Sequence, residues 1–160
     1  MAQSAEGQER RIVVGIDGSL ASKAALTWAI SQAARTDAVV EVVTAYYWFP
    51  MPIEEIDFRG LATHMAEDAI FDAVDQGPPV KIISKVVRGN AAKVLLDAAR
   101  GAELLVVGSR GHGSLATALL GSVSGQCVHH ATCPVVVVRD PAGERRLSPR
   151  EDATGTSYAG

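Results

Sequence analysis

The chain has 160 residues, 48% hydrophobic and 21% charged, with a formal net charge of −3, which suits one domain with a real core and is short for two. No extended run of Lys and Arg is present, which argues against nucleic acid as a partner; no apolar stretch reaches membrane-spanning length; and the two cysteines, Cys127 and Cys133, lack the spacing of a disulfide scaffold or zinc site. Aromatics are only 5%, so the core must come from Val, Ile, Leu and Ala, as in parallel strands covered by Ala-rich helices.

Met1–Arg10 is polar, without the apolar run of a signal peptide, and reads as a disordered tail of a cytoplasmic protein. Ile12–Ile16 is the first strand, followed by Gly15-Ile16-Asp17-Gly18-Ser19. Ser19–Arg35 reads as a helix, with Ser22, Leu26, Ala29, Ile30 and Ala33 on one stripe and Asp17–Ser19 able to cap its start. Val39–Tyr46 is the second strand. The connection Tyr46–Leu61 carries Trp48, Phe49, Pro50 and Pro52, and its length suits a lid or a partner surface. A second helix spans Leu61–Val74 on Met65, Ala66, Ala69, Ile70 and Ala73, and Lys81–Val87 is the third strand. Asn90 can cap a third helix bearing Ala91, Val94, Leu95 and Ala98, stopped by Gly101. Leu104–Val107 is the fourth strand; a fourth helix starts at Leu115 or Ser122 and runs to His130, where Pro134 prevents its continuation. Val135–Val138 is the fifth strand. Asp140–Gly160, rich in Pro, Gly, Ser, Thr and charge, is expected to be a flexible tail, which leaves Arg11–Arg139 as the single ordered domain.

Strict alternation of strands and helices predicts a doubly wound α/β fold with a parallel sheet. Such sheets bind ligands beyond the carboxyl ends of their strands, near the point where strand order reverses. Two segments fall at strand ends: Asp17 with its flanking glycines, and Gly108-Ser109-Arg110-Gly111-His112-Gly113-Ser114, continuing to Gly121-Ser122-Val123-Ser124. Glycines let backbone approach a phosphate closely, and the free N–H groups and hydroxyls where the last helix begins make an anion site. Tight turns alone would also explain glycines, and a helix cap would explain Asp17. Arg110 and His112 could equally point into solvent. A Walker A loop is excluded, because Gly108–Ser124 contains no Lys, and GxGxxG is absent after the first strand. His129 and His130, late in a helix, complement its dipole, while Cys127 and Cys133 read as small hydrophobes. No motif assembles a catalytic group or a metal site.

The spaced pattern Gly108-x2-Gly111-x9-Gly121-Ser122 resembles the nucleotide-binding motif of the universal stress protein family. The resemblance extends through VVGIDGS (Val13–Ser19), RGN (Arg88–Asn90), LLVVGSRGHGS (Leu104–Ser114), LLGSVS (Leu119–Ser124) and HATCPVVVVR (His130–Arg139). It implies a Rossmann-like five-stranded parallel sheet of order 3-2-1-4-5 with helices on both faces, forming a homodimer that binds ATP, with Mg²⁺ possible through the phosphates. Carried over by residue, Asp17 faces the ribose and adenosine end, Gly15 closes the floor beside it, and Ala45 lies near the adenine. Gly108, Gly111, Gly121 and Ser122 form the phosphate and ribose loop, with Ser109, Arg110, His112, Gly113 and Ser114 within it and Val123 and Ser124 adjacent. In that order the fifth strand is an edge, and pairing of Val135–Val138 with a second copy would cover it.

The implied function is a nucleotide-responsive binding or signalling module in stress response, open to a further protein partner. A slow ATPase or phosphotransferase at the same site, or a ligand-free dimeric scaffold, are the alternatives. A phosphorelay receiver domain shares the alternation but needs an Asp at the third strand's end and a Lys near the fifth; Val86-Val87-Arg88 and Val138-Arg139 stand there instead.

Overall fold

Runs of Val and Ile form strands, and the Ala-rich segments between them form helices, in the computed structural model of the chain, which describes residues 7–47, 56–109 and 120–140. The order is β1 (Arg11–Gly15), α1 (Leu20–Thr36), β2 (Val39–Tyr46), α2 (Phe58–Asp75), β3 (Ile82–Arg88), α3 (Ala91–Ala98), β4 (Leu104–Gly108), α4 (Ser122–His130) and β5 (Val135–Val138). Side chains choose the helix starts. Ser19 Oγ accepts from the Ser22 amide at 3.1 Å and Asn90 Oδ1 from the Lys93 amide at 3.1 Å. Asp57 Oδ1 accepts from the Gly60 amide at 2.9 Å. That cap starts α2 at Phe58, three residues before the expected Leu61. The fourth helix takes the later of its two expected starts, Ser122. Upstream of β1, Glu9 pairs with Lys81 at 2.9 Å and the Arg10 carbonyl accepts from the Val39 amide at 2.8 Å. Trp48, Phe49, Pro50 and Pro52 lie outside the described residues.

The five strands form one parallel sheet of order β3-β2-β1-β4-β5, as the resemblance implied. Val14 pairs with Val42 on one side and Val106 on the other, so β1 is the central strand. Alternate residues of β1 face opposite layers. Ile12, Val14 and Ile16 enter a cluster with Leu26 and Ile30 of α1 and Ala66 and Ala69 of α2. Val13 enters the other with Val94 and Leu95 of α3 and Cys127 of α4. Alanines at 25, 29, 33, 62, 66, 69 and 73 are all buried, which lets both helices lie close on the sheet. Among the described residues, no helix is long and apolar enough to cross a membrane.

One charged group lies deep in β2. Glu41, 2% exposed, accepts from Arg11 Nη1 at 3.2 Å and pairs with Lys85 Nζ at 3.1 Å. Arg11 also donates to the carbonyls of Ala98 at 2.7 Å and Arg100 at 2.8 Å, so its guanidinium closes the C-terminal end of α3. A buried carboxylate with two cationic partners is compensated; losing either partner would leave desolvated charge.

Candidate functional site

The chain reverses direction across the sheet after β3, crossing from one side of β1 to the other to form β4. The carboxyl ends of β1 and β4 therefore flank the switch point, where open parallel sheets leave a crevice. Gly15 pairs with Val43, and Val14 with Val106. Continued by two and three residues, that register puts Asp17 level with Ala45 on one side and Ser109 on the other. The structure thus brings together groups far apart in sequence.

Asp17 is exposed, and its Oδ1 accepts from the Ser19 amide at 2.9 Å. Ser19, not Asp17, caps α1. The aspartate shapes the turn and presents its carboxylate at the strand ends. Ala45 is half-buried and pairs with Val87 of β3. Ser109 is 7% exposed and ties the site together: its amide donates to the Val138 carbonyl at 2.7 Å, and its own carbonyl accepts from the Gly121 amide at 2.8 Å. Residues 109 and 121, the two ends of the glycine loop, are therefore fastened to each other.

Beyond that clamp α4 begins on Gly121 in extended backbone (φ −68°, ψ 168°), with no side-chain cap. The first intrahelical bond runs from the Gly125 amide to the Gly121 carbonyl at 2.9 Å. The amides of Ser122, Val123 and Ser124 precede it and stand at the positive end of the helix. Ser122 is exposed and Val123 half-buried. Ser124 is 3% exposed, and its hydroxyl is directed at the carbonyls of Ser109 at 3.0 Å and Gly121 at 3.1 Å. That side chain pins the helix start to the end of β4, leaving the backbone amides as the donors of this turn.

Two glycines of the pattern have packing reasons of their own. A Cβ on Gly108 would stand 2.8 Å from the Ala21 carbonyl carbon and the Ser22 nitrogen, so glycine there lets the start of α1 lie on β4. On Gly15 it would stand 2.8 Å from Leu95 Cδ1 of α3. Arg110, Gly111, His112, Gly113 and Ser114 lie outside the described residues.

Sequence reasoning did not single out Thr44, beside Ala45. It is 1% exposed, and its hydroxyl has no hydrogen-bond partner among the described residues. A lone hydroxyl in an apolar strand run was its only signal. The cysteines sit as expected: burial and the neighbouring Cys133 push the Cys127 thiol up to about 11, and burial raises Cys133. Among the described residues no group of three or more His, Cys, Asp or Glu could hold a metal.

Residues 9–139 match the Universal stress protein family. A universal stress protein of Mycolicibacterium smegmatis is 33% identical over 150 residues, covering 86% of this chain and 50% of that protein. The chain spans about half the length of the curated relatives it matches. Among solved structures, the universal stress protein UspA of Lactobacillus plantarum superposes with a TM-score of 0.66 at 25% identity, covering 81% of this chain and 97% of that one. A universal stress protein solved in complex with cAMP superposes with a TM-score of 0.61 at 27% identity, covering 81% and 96%. The family match spans nearly the whole described domain, and the chain belongs to the universal stress protein family.

Proposed function

We propose that the chain binds an adenine nucleotide, ATP above all, in the crevice between the ends of β1 and β4. The observation that carries this is the uncapped start of α4. Three consecutive amides, on Ser122, Val123 and Ser124, meet a glycine N-cap at the switch point of the sheet. Such a turn favours phosphate through its N–H groups and its dipole together. Asp17 then lies on the ribose side, and Ala45, backed by Val87, on the side of the base. Gly108, Ser109 and Gly121 hold the frame, and Arg110, Gly111, His112, Gly113 and Ser114 belong to the nucleotide-binding set by their place in the family's motif. Mg²⁺ comes with the phosphates rather than from a cage of protein carboxylates. The related protein solved with cAMP supports an adenine nucleotide as the ligand class.

What the start of α4 offers a phosphate is a set of N–H donors, which hold charge without moving a proton. The reading is therefore a binding module in stress response whose occupancy alters what it engages, with turnover far below ordinary kinase rates of about 1–100 s⁻¹. It acts as a homodimer in which the edge strand Val135–Val138 pairs with its copy. Mapping amide shifts by nuclear magnetic resonance during titration with ATP tests the assignment. Shifts centred on Ser122–Ser124, Asp17 and Ala45 are expected; saturable shifts confined elsewhere would overturn it.

A further inference from the structure

The two faces of the sheet are unequally covered. On the side of α3 and α4, no described element covers the edge strand β3: Ile83, Lys85 and Val87, in register with Glu41, Val43 and Ala45, share that face and are exposed. Among the described residues β3 pairs only with β2, so its outer backbone groups form a free edge. Between this strand and α3 runs a groove of about 690 Å³ with aliphatic walls from Val43, Val87 and Val94.

The groove is cationic in an acidic chain. Arg11, Lys85, Arg88, Lys93 and Arg100 line it against two carboxylates, while the whole chain carries −3. Both carboxylates are already engaged, Glu41 by Arg11 and Lys85 and Asp97 by Arg100 at 3.3 Å. Lys85 keeps about half its side chain exposed (52%) above the buried glutamate. Lysines on an edge strand repel basic strands and lose hydration beside neutral ones, and so guard against indiscriminate pairing. The same charges admit an acidic one.

We propose that this groove docks an extended acidic segment of a partner protein, which adds as a strand to the free edge of β3. Its backbone pairs with β3, its apolar side chains rest on Ile83 and Val87, and its carboxylates meet Lys85 and Lys93. Among the described residues no aromatic side chain lines the groove, and stacking on aromatic side chains is what single-stranded nucleic acid uses. The groove runs along α3, away from the start of α4, and meets the proposed nucleotide site at one end, where Val87 also backs Ala45.

Fluorescence anisotropy of the full chain, without nucleotide, with labelled acetyl-Glu-Thr-Val-Thr-Glu-Thr-Val-Thr-Glu-amide tests it, since alternate residues of a strand share a face and this order brings both Val and Glu to the face of Ile83, Lys85 and Val87. Saturable binding is expected, and its counterpart with Lys in place of Glu should not bind. Lys93→Glu should weaken binding at least fivefold; it keeps the fold, since Glu suits the third position of a capped helix. Arg35→Glu makes the same charge change on α1, across the sheet, and should alter affinity less than twofold. Two further copies of the peptide, N-methylated at every Thr or at every Glu and Val, read the strand geometry. One should lose binding tenfold or more and the other should not, because alternate amides face the edge. Absence of saturable binding, equal effects of the two charge reversals, or equal binding of both methylated copies would overturn the proposal. Displacement of the peptide by a short oligothymidylate that itself binds more tightly would overturn it in favour of nucleic acid.

Discussion

Replacing Gly108 with Ala tests whether that glycine is held by packing. The new Cβ would sit 2.8 Å from two backbone atoms of α1, the Ala21 carbonyl carbon and the Ser22 nitrogen, and 2.9 Å from Ala21 Cβ. Ordinary carbon contacts lie at about 3.5–4.0 Å, so the start of α1 must retreat by roughly 0.7 Å. It cannot do so freely, because Leu26 and Ile30 of the same helix are fully buried. The cost falls in the upper part of the range for overpacking, about 2–3 kcal/mol. At about 3 °C per kcal/mol for a domain of this size, Tm falls by about 6–9 °C. Gly15→Ala is the matched control, since the three atoms nearest its Cβ all belong to the Leu95 side chain rather than to backbone. That side chain can rotate, and the expected loss is about 1 kcal/mol or less. Urea unfolding of the two variants without nucleotide, followed by circular dichroism, gives both numbers. Equal losses, or a greater loss for Gly15→Ala, would refute the packing argument.

Arg11→Met removes one of the two cations on buried Glu41 together with the bonds that close α3. Urea unfolding should show a loss of about 3 kcal/mol, and a loss under 1 kcal/mol would mean that Lys85 compensates alone. Burial holds the Cys127 thiol neutral up to about pH 11. Because the folded value is raised, the stability tied to it is complete below the unfolded value of about 8.5 and is lost as pH rises through the folded one. Thiol reagents at pH 8 should therefore label Cys127 only after unfolding, and rapid labelling of the native chain would contradict its burial. In the centrifuge the wild-type chain should sediment as a dimer at micromolar concentration. Val137→Lys should shift it to monomer, with circular dichroism separating dissociation from unfolding, because Val137 also packs toward Cys127. A monomeric wild type would remove β5 as the interface.

Much of this was legible in the sequence because parallel strands buried on both faces leave an uninterrupted apolar run. Ile12–Val14 and Leu105–Val107 are such runs. Capping residues marked α1 and α3, but Asp57 lies in a connection without helical periodicity, so the start of α2 was read late. The site was legible as motifs at two strand ends, and the resemblance supplied the strand order that makes those ends neighbours. Other features were hidden by long-range contacts. Nothing local shows that the Ser109 carbonyl fastens the two ends of the glycine loop, or that Ser124 is turned inward onto it. Glu41 in an apolar strand run was a visible anomaly, yet its partners Arg11 and Lys85 lie 30 and 44 positions away and only the sheet brings them together. The open face of β3 follows from how the described helices are shared between the two faces of the sheet, which no single segment reveals.

Calorimetric titration of the wild-type chain and Gly121→Ser with ATP addresses the central claim most directly. Serine at that position places a hydroxyl at the N-cap of α4, where it can accept from the Val123 or Ser124 amide. It should raise stability by a few tenths of a kcal/mol while occupying the donors assigned to phosphate. The account predicts saturable binding by the wild type and at least tenfold weaker binding by the variant, about 1.4 kcal/mol. A wild-type chain that takes up no ATP, or a variant that binds it equally well, would contradict the account.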